Sequence, residues 1–560
     1  MTYGGNKVSR RGVLAASAAL GGGVLLPAGQ AVALPGTVPP EEARPGALVT
    51  VTPEDARYPD LVRGWNQRYV GRPEAVHVPR TTAQVATAVR QAVRAGKRLT
   101  VRSGGHCWED FVFTPDVQVV VDLSAMRDVD FDPAMNAFMV QPGAQLLDVY
   151  ERLYRTWGVI VPAGMCFQVG AGGHVSGGGW GLLCRQLGLV VDHLYAVEVV
   201  VVDADGTVRT VVATRDDADP HRDLWWAHTG GGGGNFGVVT RYWFRSPGAS
   251  GTDPTRLLPA PPPEVLVSAV SWQWSDLDER SFSRLVRNYA DWHVRHAAPD
   301  DPTTAVCSLL SLNHVSNGAV GLITHVDASV PGAARLHDEF LAAITEGVTA
   351  SYGPVTTRMG ELTALPDLAT PRRLPWLQAA RYLGTANPTT NDPTQKSDFK
   401  SAYMKAGFPE RQLAALYRHL TRTDLGNPTG SVMLSSFAGQ VSAVPQDATA
   451  SAHRDAAYKL AWMIWWDDPA DEADCVRWLR EFYADMYADT GGVPVPGAVT
   501  DGCYVNYPDA DLGLPEHNRS GTPWHDLYYK GNYRRLQRVK QAYDPRNVFR
   551  HRQSVRLPGN

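Results

Sequence analysis

Hydrophobic and polar positions along the first half of the chain repeat with two periods, one typical of helices and one typical of strands. Apolar residues recur at helical spacing over residues 81–96, after a Thr-Thr pair, which predicts a capped helix that ends at a glycine. Strands are predicted at residues 99–102, 117–123, 138–140 and 159–161, a second helix at 144–156, and a hairpin at 195–212 that turns near Asp205-Gly206. Strands that alternate with helices indicate an α/β layer.

A stretch rich in proline and glycine, residues 246–263, interrupts both periods and marks a boundary between two parts of the chain. Beyond it, β-like runs are predicted at residues 265–274, 319–326, 430–444 and 459–466, with helices at 279–296, 333–345 and 410–421. This pattern predicts a second domain of the α+β class. From about residue 491 the chain is rich in Tyr and Asn, and it ends in a polar, Arg-rich helix.

The composition is that of a globular protein with more than one domain. The chain has 560 residues, of which 44% are hydrophobic and 20% charged, and it is too long for one compact core. The net charge of −4 and the lack of a long basic run indicate that nucleic acid is not a partner. The six cysteines form no CxxC pair, and no HExxH or zinc-like spacing occurs, so no metal is predicted.

The first 33 residues have the features of an export signal. Arg10 and Arg11 precede a stretch of small and apolar residues, and Ala31-Val32-Ala33 offers the small side chains that a signal peptidase accepts. The paired arginines indicate the Tat route, which predicts a secreted protein. The alternative is a membrane anchor, but the stretch is short and no later segment has about 18 uninterrupted apolar residues, so stable membrane insertion is not expected.

A first candidate motif follows the predicted strand at 99–102. It consists of Arg102, Ser103, Gly104, Gly105 and His106. Small residues allow backbone N–H groups to approach phosphate oxygens closely, and an arginine can add positive charge. On its own, such a sequence is also consistent with an ordinary turn.

A second motif spans residues 164–181 and contains eight glycines. The glycines alternate with Cys166, Phe167, Val169, His174 and Trp180, so the segment differs from a flexible linker. Glycine at this density is expected where the backbone lies against a large flat ligand. The alternative is an exposed low-complexity loop.

A third motif runs from five consecutive glycines at 230–234 through Asn235 to Gly237. It matches GxGxxG at Gly232, Gly234 and Gly237, which in a Rossmann fold would bind a dinucleotide. No predicted strand precedes it and no suitable acidic residue follows about 20 residues later, so the Rossmann interpretation is rejected.

A fourth motif, residues 504–512, places Tyr504 and Tyr507 beside Asn and Asp side chains. These tyrosines could serve chemistry, or they could pack a domain interface, and the segment alone does not separate the two.

Taken in chain order, RSGGH, PAGxC before VGxGGHxSGGGxG, GGGGNFGVVT and YxNYPD resemble the berberine bridge enzyme-like branch of the FAD-linked oxidases, in the vanillyl-alcohol oxidase family. That branch includes gluco-oligosaccharide oxidases, aclacinomycin oxidoreductase and alkaloid enzymes. The likeness covers roughly residues 58–554. It implies an α+β, two-domain fold: after the signal at 1–33, an FAD-binding domain of two α+β subdomains (34–250), a substrate domain with an antiparallel sheet backed by helices (251–490), and a C-terminal segment (491–560) that returns to the FAD domain.

The resemblance also implies a cofactor site. His106 would bond to the flavin 8α-methyl group and Cys166 to its C6, so that FAD is held by two covalent bonds. His174 would supply a donor or cation near the flavin pyrimidine edge, where negative charge develops on reduction. The residues implied to line the cofactor are Arg102, Ser103, Gly104, Gly105, Gly164, Gly170, Gly172, Gly173, His174, Gly177, Gly178, Gly233, Gly234, Asn235, Gly237 and Tyr507.

The resemblance assigns catalysis to Tyr507, which would take the alcohol proton while a hydride passes to flavin N5, with Tyr504 as the substitute in the same motif. A tyrosine with its ordinary pKa of about 10 needs help from neighbours to act as a base. Val169 matches a family position that gates O2 access to the flavin, where valine is associated with oxidases. The glutamate of alkaloid-type relatives would fall near Ala443, and residues 433–443 contain no carboxylate, so the second catalytic group is left open.

The function implied is that of a secreted oxidase that acts on a hydroxyl of a sugar or glycosylated metabolite and passes electrons to O2. The alternatives are a dehydrogenase that avoids O2, an oxidative cyclase of natural-product biosynthesis, and a flavoprotein kept for binding. The tyrosine motif disfavours a mere binding protein. A monomer or small homo-oligomer is expected, and the substrate itself is left open.

Overall fold

The strands form three sheets, and the computed structural model describes residues 46–385 and 392–559. The first sheet is mixed and four-stranded, in the order Val49–Val51, Ala75–Val78, Val119–Asp122, Leu99–Arg102. The second is antiparallel and five-stranded, in the order Val129–Asp132, Ala137–Val140, Val238–Phe244, Leu194–Val202, Val208–Thr214. The third is antiparallel and eight-stranded, in the order Gly353–Pro354, Glu264–Gln273, Ala319–Asp327, Val306–Asn313, Ser431–Ser436, Tyr458–Trp466, Lys396–Met404, with Arg372–Pro375 paired to Glu264–Gln273.

Helices cover these sheets, and the protein is of the predicted α+β class. The α-helices of the described residues are Tyr58–Leu61, Thr82–Arg94, Leu146–Trp157, Ala171–Ser176, Cys184–Leu187, Arg222–Ala227, Glu279–Arg295, Ala333–Thr345, Trp376–Leu383, Glu410–Leu420, Glu472–Met486, Trp524–Tyr529 and Tyr533–Tyr543. The helix predicted at 81–96 is confirmed, and Thr81 Oγ1 caps it by accepting a hydrogen bond from Gln84 N at 3.2 Å. None of the described helices is both long and apolar enough to cross a membrane.

Two predicted strands were wrong. Residues 159–161 are buried but irregular, because Ile160 N bonds to Pro259 O and no neighbouring strand pairs with this run in the described structure. The strand predicted at 430–444 ends at Ser436, and residues 439–443 form a 3-10 turn. Gly439 has a φ of +61°, which a continuing strand cannot accommodate.

Sequence periodicity missed the strands Val306–Asn313, Val238–Phe244 and Lys396–Met404 and the helix Glu472–Met486. The strand Lys396–Met404 was hidden because its buried positions include a lysine and serines. Lys400 is buried because its Nζ lies 2.8 Å from both Asp509 Oδ1 and Asp511 Oδ2, next to the fourth motif. Because this buried position holds a charged residue, the run of apolar residues that would predict a strand is interrupted.

The second and third sheets share one hydrophobic core, and the chain passes from Phe244 to Glu264 through the irregular stretch predicted as a boundary. Hydrogen bonds also join the two regions: Trp180 Nε1 donates to Ser436 O at 3.0 Å, and Arg185 donates to Phe437 O at 3.3 Å. The glycine-rich second motif is therefore fixed against the third sheet. The predicted signal at 1–33 lies outside the described residues.

Candidate active site

The four sequence motifs meet at one cavity with an empty volume of about 2350 Å³. Of the predicted site residues, those that line it are Arg102, Ser103, Gly104, Gly105, His106, Gly164, Cys166, Val169, Gly170, Gly172, Gly173, His174, Gly233, Gly234, Asn235, Gly237, Tyr504 and Tyr507. The third sheet contributes Leu309, Met433, Ser435, Ala461 and Met463 to the opposite wall. The cavity therefore joins a glycine-rich side to a mostly apolar side.

Gly177 and Gly178 are predicted to line the cofactor, but they lie behind the cavity wall. A Cβ on Gly177 would stand 2.0 Å from Asn506 Oδ1, and one on Gly178 would stand 2.7 Å from Ser451 Oγ. These glycines make room for protein side chains. Asn506 Nδ2 in turn donates to His174 O at 3.0 Å, which ties the fourth motif to the second.

The first and second motifs cross backbone against backbone at Gly104 and Gly170. A Cβ on Gly104 would lie 2.2 Å from Gly170 N, and a Cβ on Gly170 would lie 2.3 Å from Ser103 Oγ and 2.4 Å from Gly104 N. Ser103 Oγ also donates to Pro142 O at 2.6 Å. Only glycine at both positions permits this crossing, which fixes where His106 and Cys166 stand relative to each other.

Replacement of Gly170 by Ala is expected to destabilise the protein by about 3 kcal/mol, the upper end of the usual cost of overpacking, because backbone atoms cannot move aside as a side chain can. Gly531 is the matched control: it lies in the 3-10 turn Lys530–Asn532, outside the cavity lining, and a Cβ there meets nothing within 4 Å. Gly531→Ala is expected to be neutral or mildly stabilising. Thermal unfolding of the two variants measures the difference, and equal unfolding temperatures would contradict the crossing.

His106 lies at the end of the first motif, against the ring of Trp65. The two rings are stacked, with centroids 5.6 Å apart and an interplanar angle of 18°. Burial, followed by the charge of Arg102, lowers the pKa of His106 to about 3. The imidazole is therefore neutral at physiological pH.

Cys166 stands across the cavity, where its Sγ lies 3.7 Å from Thr385 O. Thr385 N also bonds to Met165 O at 3.1 Å, so a loop of the third-sheet region holds this cysteine. Burial, followed by the charge of Glu361, raises the pKa of Cys166 to about 12. The side chain is a protonated thiol at neutral pH.

His174 is predicted to offer a donor or a cation. Its Nε2 accepts a hydrogen bond from Gly164 N at 3.2 Å, which places the proton of the neutral ring on Nδ1. Burial, followed by the charge of Lys459, lowers its pKa to about 4. His174 is thus a neutral donor at physiological pH and does not supply a cation.

Tyr507 is the centre of a polar and aromatic cluster. Lys459, buried on the strand Tyr458–Trp466, places its Nζ 3.0 Å from Tyr507 Oη and 4.4 Å from the centroid of that ring. Trp108 stacks on the other side of Tyr507, at 4.2 Å between centroids. Tyr504 meets Tyr507 edge-on at 4.9 Å, and its hydroxyl accepts a hydrogen bond from Asn506 Nδ2.

Two residues of this cluster were missed by sequence reasoning. Lys459 does not line the cavity but reaches Tyr507 from behind, and burial lowers its pKa to about 7. Glu361 lines the cavity from the turn Met359–Leu362, and burial raises its pKa to about 7. Neither residue lies in a recognisable motif: Lys459 begins an otherwise apolar run, and Glu361 follows a glycine in an irregular stretch.

Val169 lines the cavity three residues after Cys166, as the gate prediction requires. Its N bonds to Cys166 O at 3.3 Å and its O accepts from Leu146 N at 3.1 Å, so its position is fixed by backbone contacts. The catalytic role of Val169 stays a prediction, as do the roles of Tyr504 and Tyr507.

The third motif, residues 230–237, follows the helix Arg222–Ala227 and precedes the strand Val238–Phe244. This order is the reverse of the strand–loop–helix unit of a Rossmann fold, and the rejection of that interpretation is confirmed. Asn235 Nδ2 donates to the carbonyl oxygens of Gly231 and Gly232 at 3.0 and 3.1 Å, which shapes the loop.

The lining of the cavity fits a large polar cofactor such as FAD. Within residues 46–385 and 392–559, Arg102 Nε, Thr385 Oγ1, His551 Nδ1 and Gln553 Oε1 are buried without a hydrogen-bond partner, and all four residues line this cavity. Buried polar atoms are rarely left unpaired, so these atoms point to a bound group. Glycines 233 and 234 line the same wall, and a Cβ on either would meet no protein atom closer than 3.3 Å. A Cβ on Gly237 would instead lie 2.6 Å from Val200 O, so this glycine makes room for the neighbouring strand.

Fold and cavity together define an FAD-binding oxidoreductase, and comparison with known proteins agrees. The family described as "FAD binding domain" matches residues 73–211, and the family described as "Berberine and berberine like" matches residues 503–556. The chain is 47% identical to aclacinomycin-N/aclacinomycin-A oxidase of Streptomyces galilaeus, over 99% of each chain. It is 30% identical to hexose oxidase of Chondrus crispus, over 90% of this chain and 93% of that protein.

Comparison with solved structures also finds a flavoenzyme. A flavoenzyme of shunt product recycling in caerulomycin biosynthesis superposes with a TM-score of 0.87 at 48% identity, over 91% of this chain and 100% of that one. The chain therefore belongs to the berberine bridge enzyme-like FAD-linked oxidases. It is an FAD-dependent oxidoreductase, and the predicted fold of this family is confirmed.

Proposed function

We propose that this protein is an exported oxidase that binds one FAD covalently through His106 and Cys166. It removes a hydride from an alcohol carbon of a sugar or of a glycosylated secondary metabolite, and it passes the electrons to O2 to give H2O2. The hydrogen bond of 3.0 Å between Lys459 Nζ and Tyr507 Oη, at the cavity that His106 and Cys166 line, is the observation that carries this proposal. The names of the relatives, an aclacinomycin oxidase and a hexose oxidase, support a sugar-bearing substrate.

When bound, FAD supplies the acceptor for the hydride. The protein must then remove the hydroxyl proton, and Tyr507 lies where the first and fourth motifs meet the cavity. Burial raises the pKa of Tyr507 well above its ordinary value of 10, so an isolated Tyr507 would be a poor base near neutral pH.

Lys459 removes this difficulty. Because its pKa is about 7, a neutral amine is present at Nζ near physiological pH. As Tyr507 takes the proton of the alcohol, its own hydroxyl proton can pass to Lys459 Nζ, 3.0 Å away. The pair then acts as a two-step proton relay whose cation is stabilised by the rings of Trp180 and Tyr507.

The neutral imidazole of His106 supports covalent attachment, because only the unprotonated ring can act as a nucleophile. The cavity wall holds His106 and Cys166 through the crossing of Gly104 and Gly170, so both can reach one ligand. A covalent cofactor also suits an exported enzyme, which has no means to replace lost FAD.

A substrate screen tests the proposal. The holoenzyme is mixed with free hexoses and with glycosides of aromatic alcohols, first without O2 and then with air. Bleaching of the flavin by one of these alcohols, followed by recovery of colour and formation of H2O2, is the expected result. Bleaching without recovery in air would indicate a dehydrogenase instead.

The choice between oxidase and dehydrogenase depends on Val169. We expect Val169→Leu to leave reduction of the flavin by substrate nearly unchanged, since an aliphatic side chain neither gives nor takes the proton that this step moves. Reoxidation by O2 is expected to slow about tenfold or more, about 1.4 kcal/mol in barrier, because a larger side chain closes the gas path. Stopped-flow reoxidation measures it, with an artificial dye as a control acceptor. Equal rates for both proteins would remove the gate role.

Export through the Tat route is also proposed, from Arg10-Arg11 and Ala31-Val32-Ala33. The secreted protein is expected to begin at or near Leu34, and replacement of both arginines by lysine is expected to retain folded, yellow precursor in the cell. N-terminal sequencing and cell fractionation measure these outcomes, and undiminished secretion of the Lys-Lys variant would contradict the route.

A further inference from the structure

A buried lysine joins the loop of the third motif, residues 230–237, to the C-terminal segment of the chain. Lys540, on the helix Tyr533–Tyr543, has no exposed surface. Its Nζ donates to Asn235 O at 2.7 Å, to Asp544 Oδ2 at 2.6 Å and to the carbonyl oxygen of Phe549. All three protons of an ammonium group are thus used, and the lysine is neutralised by Asp544.

Two of the three partners of Lys540 line the cofactor cavity, and the third, Asp544, fixes the segment that carries one of them. Asn235 lines the cavity, and its side-chain amide donates hydrogen bonds to the carbonyl oxygens of Gly231 and Gly232. Phe549 lines it from the C-terminal segment, together with Arg550, His551 and Gln553. Asp544 fixes the start of that segment, because its carboxylate accepts from Val548 N at 2.8 Å and Phe549 N at 2.9 Å.

A second bond links the same two walls. Val555 N donates to Asn235 Oδ1 at 2.8 Å, so the backbone oxygen and the side-chain oxygen of Asn235 are both held from the C-terminal segment. These contacts join residues that are far apart in sequence: Lys540 lies 305 residues after Asn235, and Val555 lies 320 residues after it.

We propose that Lys540 is a positioning residue for the cofactor: it sets the spacing between the Gly233–Asn235 loop and the C-terminal wall, and so shapes the part of the cavity that takes the dinucleotide. Lys540 touches neither the cavity nor its ligand. The proposal rests on FAD binding in this cavity, but it does not depend on the covalent bonds, the substrate or the use of O2.

The test compares flavin content in folded variants. Lys540→Met combined with Asp544→Asn removes the ion pair without leaving a single buried charge. The matched control is Lys530→Met with Asp501→Asn, which removes a pair with Nζ–Oδ2 of 2.9 Å; the ion-pair partners of Lys530, Asp501 and Asp455, do not line the cavity, whereas Lys540 bonds to lining residues. Both variants are expected to lose thermal stability, whereas flavin content should fall about tenfold or more only in the Lys540 variant.

A second pair of variants tests the proposal in case the Lys540 variant does not fold. Val555→Pro removes the N–H that binds Asn235 Oδ1, whereas Val555→Ala shortens the same buried side chain and keeps that donor. The ratio of flavin absorbance to protein is measured on the folded, purified fraction of each variant. Lower flavin content in Val555→Pro than in Val555→Ala supports the proposal even if the Lys540 variant is insoluble. Wild-type flavin content in Val555→Pro, or in the folded Lys540 variant, overturns it.

Discussion

Tyr507→Phe is expected to slow reduction of the flavin by substrate by about two to four orders of magnitude, while the protein stays folded and yellow. The change removes one oxygen atom, the acceptor of the alcohol proton, and leaves the ring stacked on Trp108. Stopped-flow absorbance in the absence of O2 measures the rate. Tyr504→Phe is the matched control, because Tyr504 lines the same cavity but its hydroxyl is bound to Asn506.

The pH dependence of the same rate tests the relay. The neutral amine of Lys459 is the form that accepts a proton, and its pKa is about 7, so the rate should rise with pH through about 7 and level off above it. Lys459→Met should be slow and should lack this rise. Glu361 also titrates near 7 and faces Lys459, with Cys184 and Cys307 nearby, so Glu361→Gln is the control that should keep the rise. Loss of the rise in Glu361→Gln alone would assign it to the carboxyl.

Replacement of both His106 and Cys166 by Ala is expected to abolish covalent attachment, so that acid precipitation releases all flavin into the supernatant. Each single variant should keep yellow protein, because one bond remains. Peptide mass spectrometry locates the flavin on the remaining residue. The two side chains belong to the first and second motifs, which cross at Gly104 and Gly170, and we therefore expect one FAD to reach both.

Cys107→Ala is the control for this series. Cys107 follows His106 directly, lines the same cavity, and has a pKa raised to about 12 by burial, much like Cys166. It should have no effect on covalent flavin. Full release of flavin from the wild type, or a flavin found on Cys107, would contradict the assignment.

The parts of the site that lie in contiguous motifs could be predicted from the sequence. His106, Cys166 and Tyr507 each lie in a segment whose glycines or aromatics mark it, and the structure brings these segments to one cavity. Gly177 and Gly178 show the limit of this reasoning. They belong to the same glycine-rich run, yet they accommodate Asn506 and Ser451, which no local pattern indicates.

The rest of the site depends on contacts between distant elements. Lys459 contacts Tyr507, 48 residues away, and Lys540 contacts Asn235, 305 residues away, besides Asp544 close by. Glu361 lies in the turn Met359–Leu362, and no local pattern marks any of these residues as part of a site. The same physical reason explains the missed strand Lys396–Met404, in which the buried Lys400 is stabilised by Asp509 and Asp511. A buried charge is compatible with a core only when its partner arrives from elsewhere in the fold, and that partner is invisible to periodicity.

We propose that the FAD in this cavity accepts a hydride from an alcohol carbon and then passes the electrons to O2. The most direct measurement is a single turnover of the holoenzyme without O2, using an alcohol that bleaches the flavin and the same alcohol deuterated at the carbinol carbon. We predict bleaching that is clearly slower with the deuterated alcohol, followed by full recovery in air with one H2O2 formed per flavin. An isotope-insensitive reduction, or a reduced flavin that persists in air, would contradict the account.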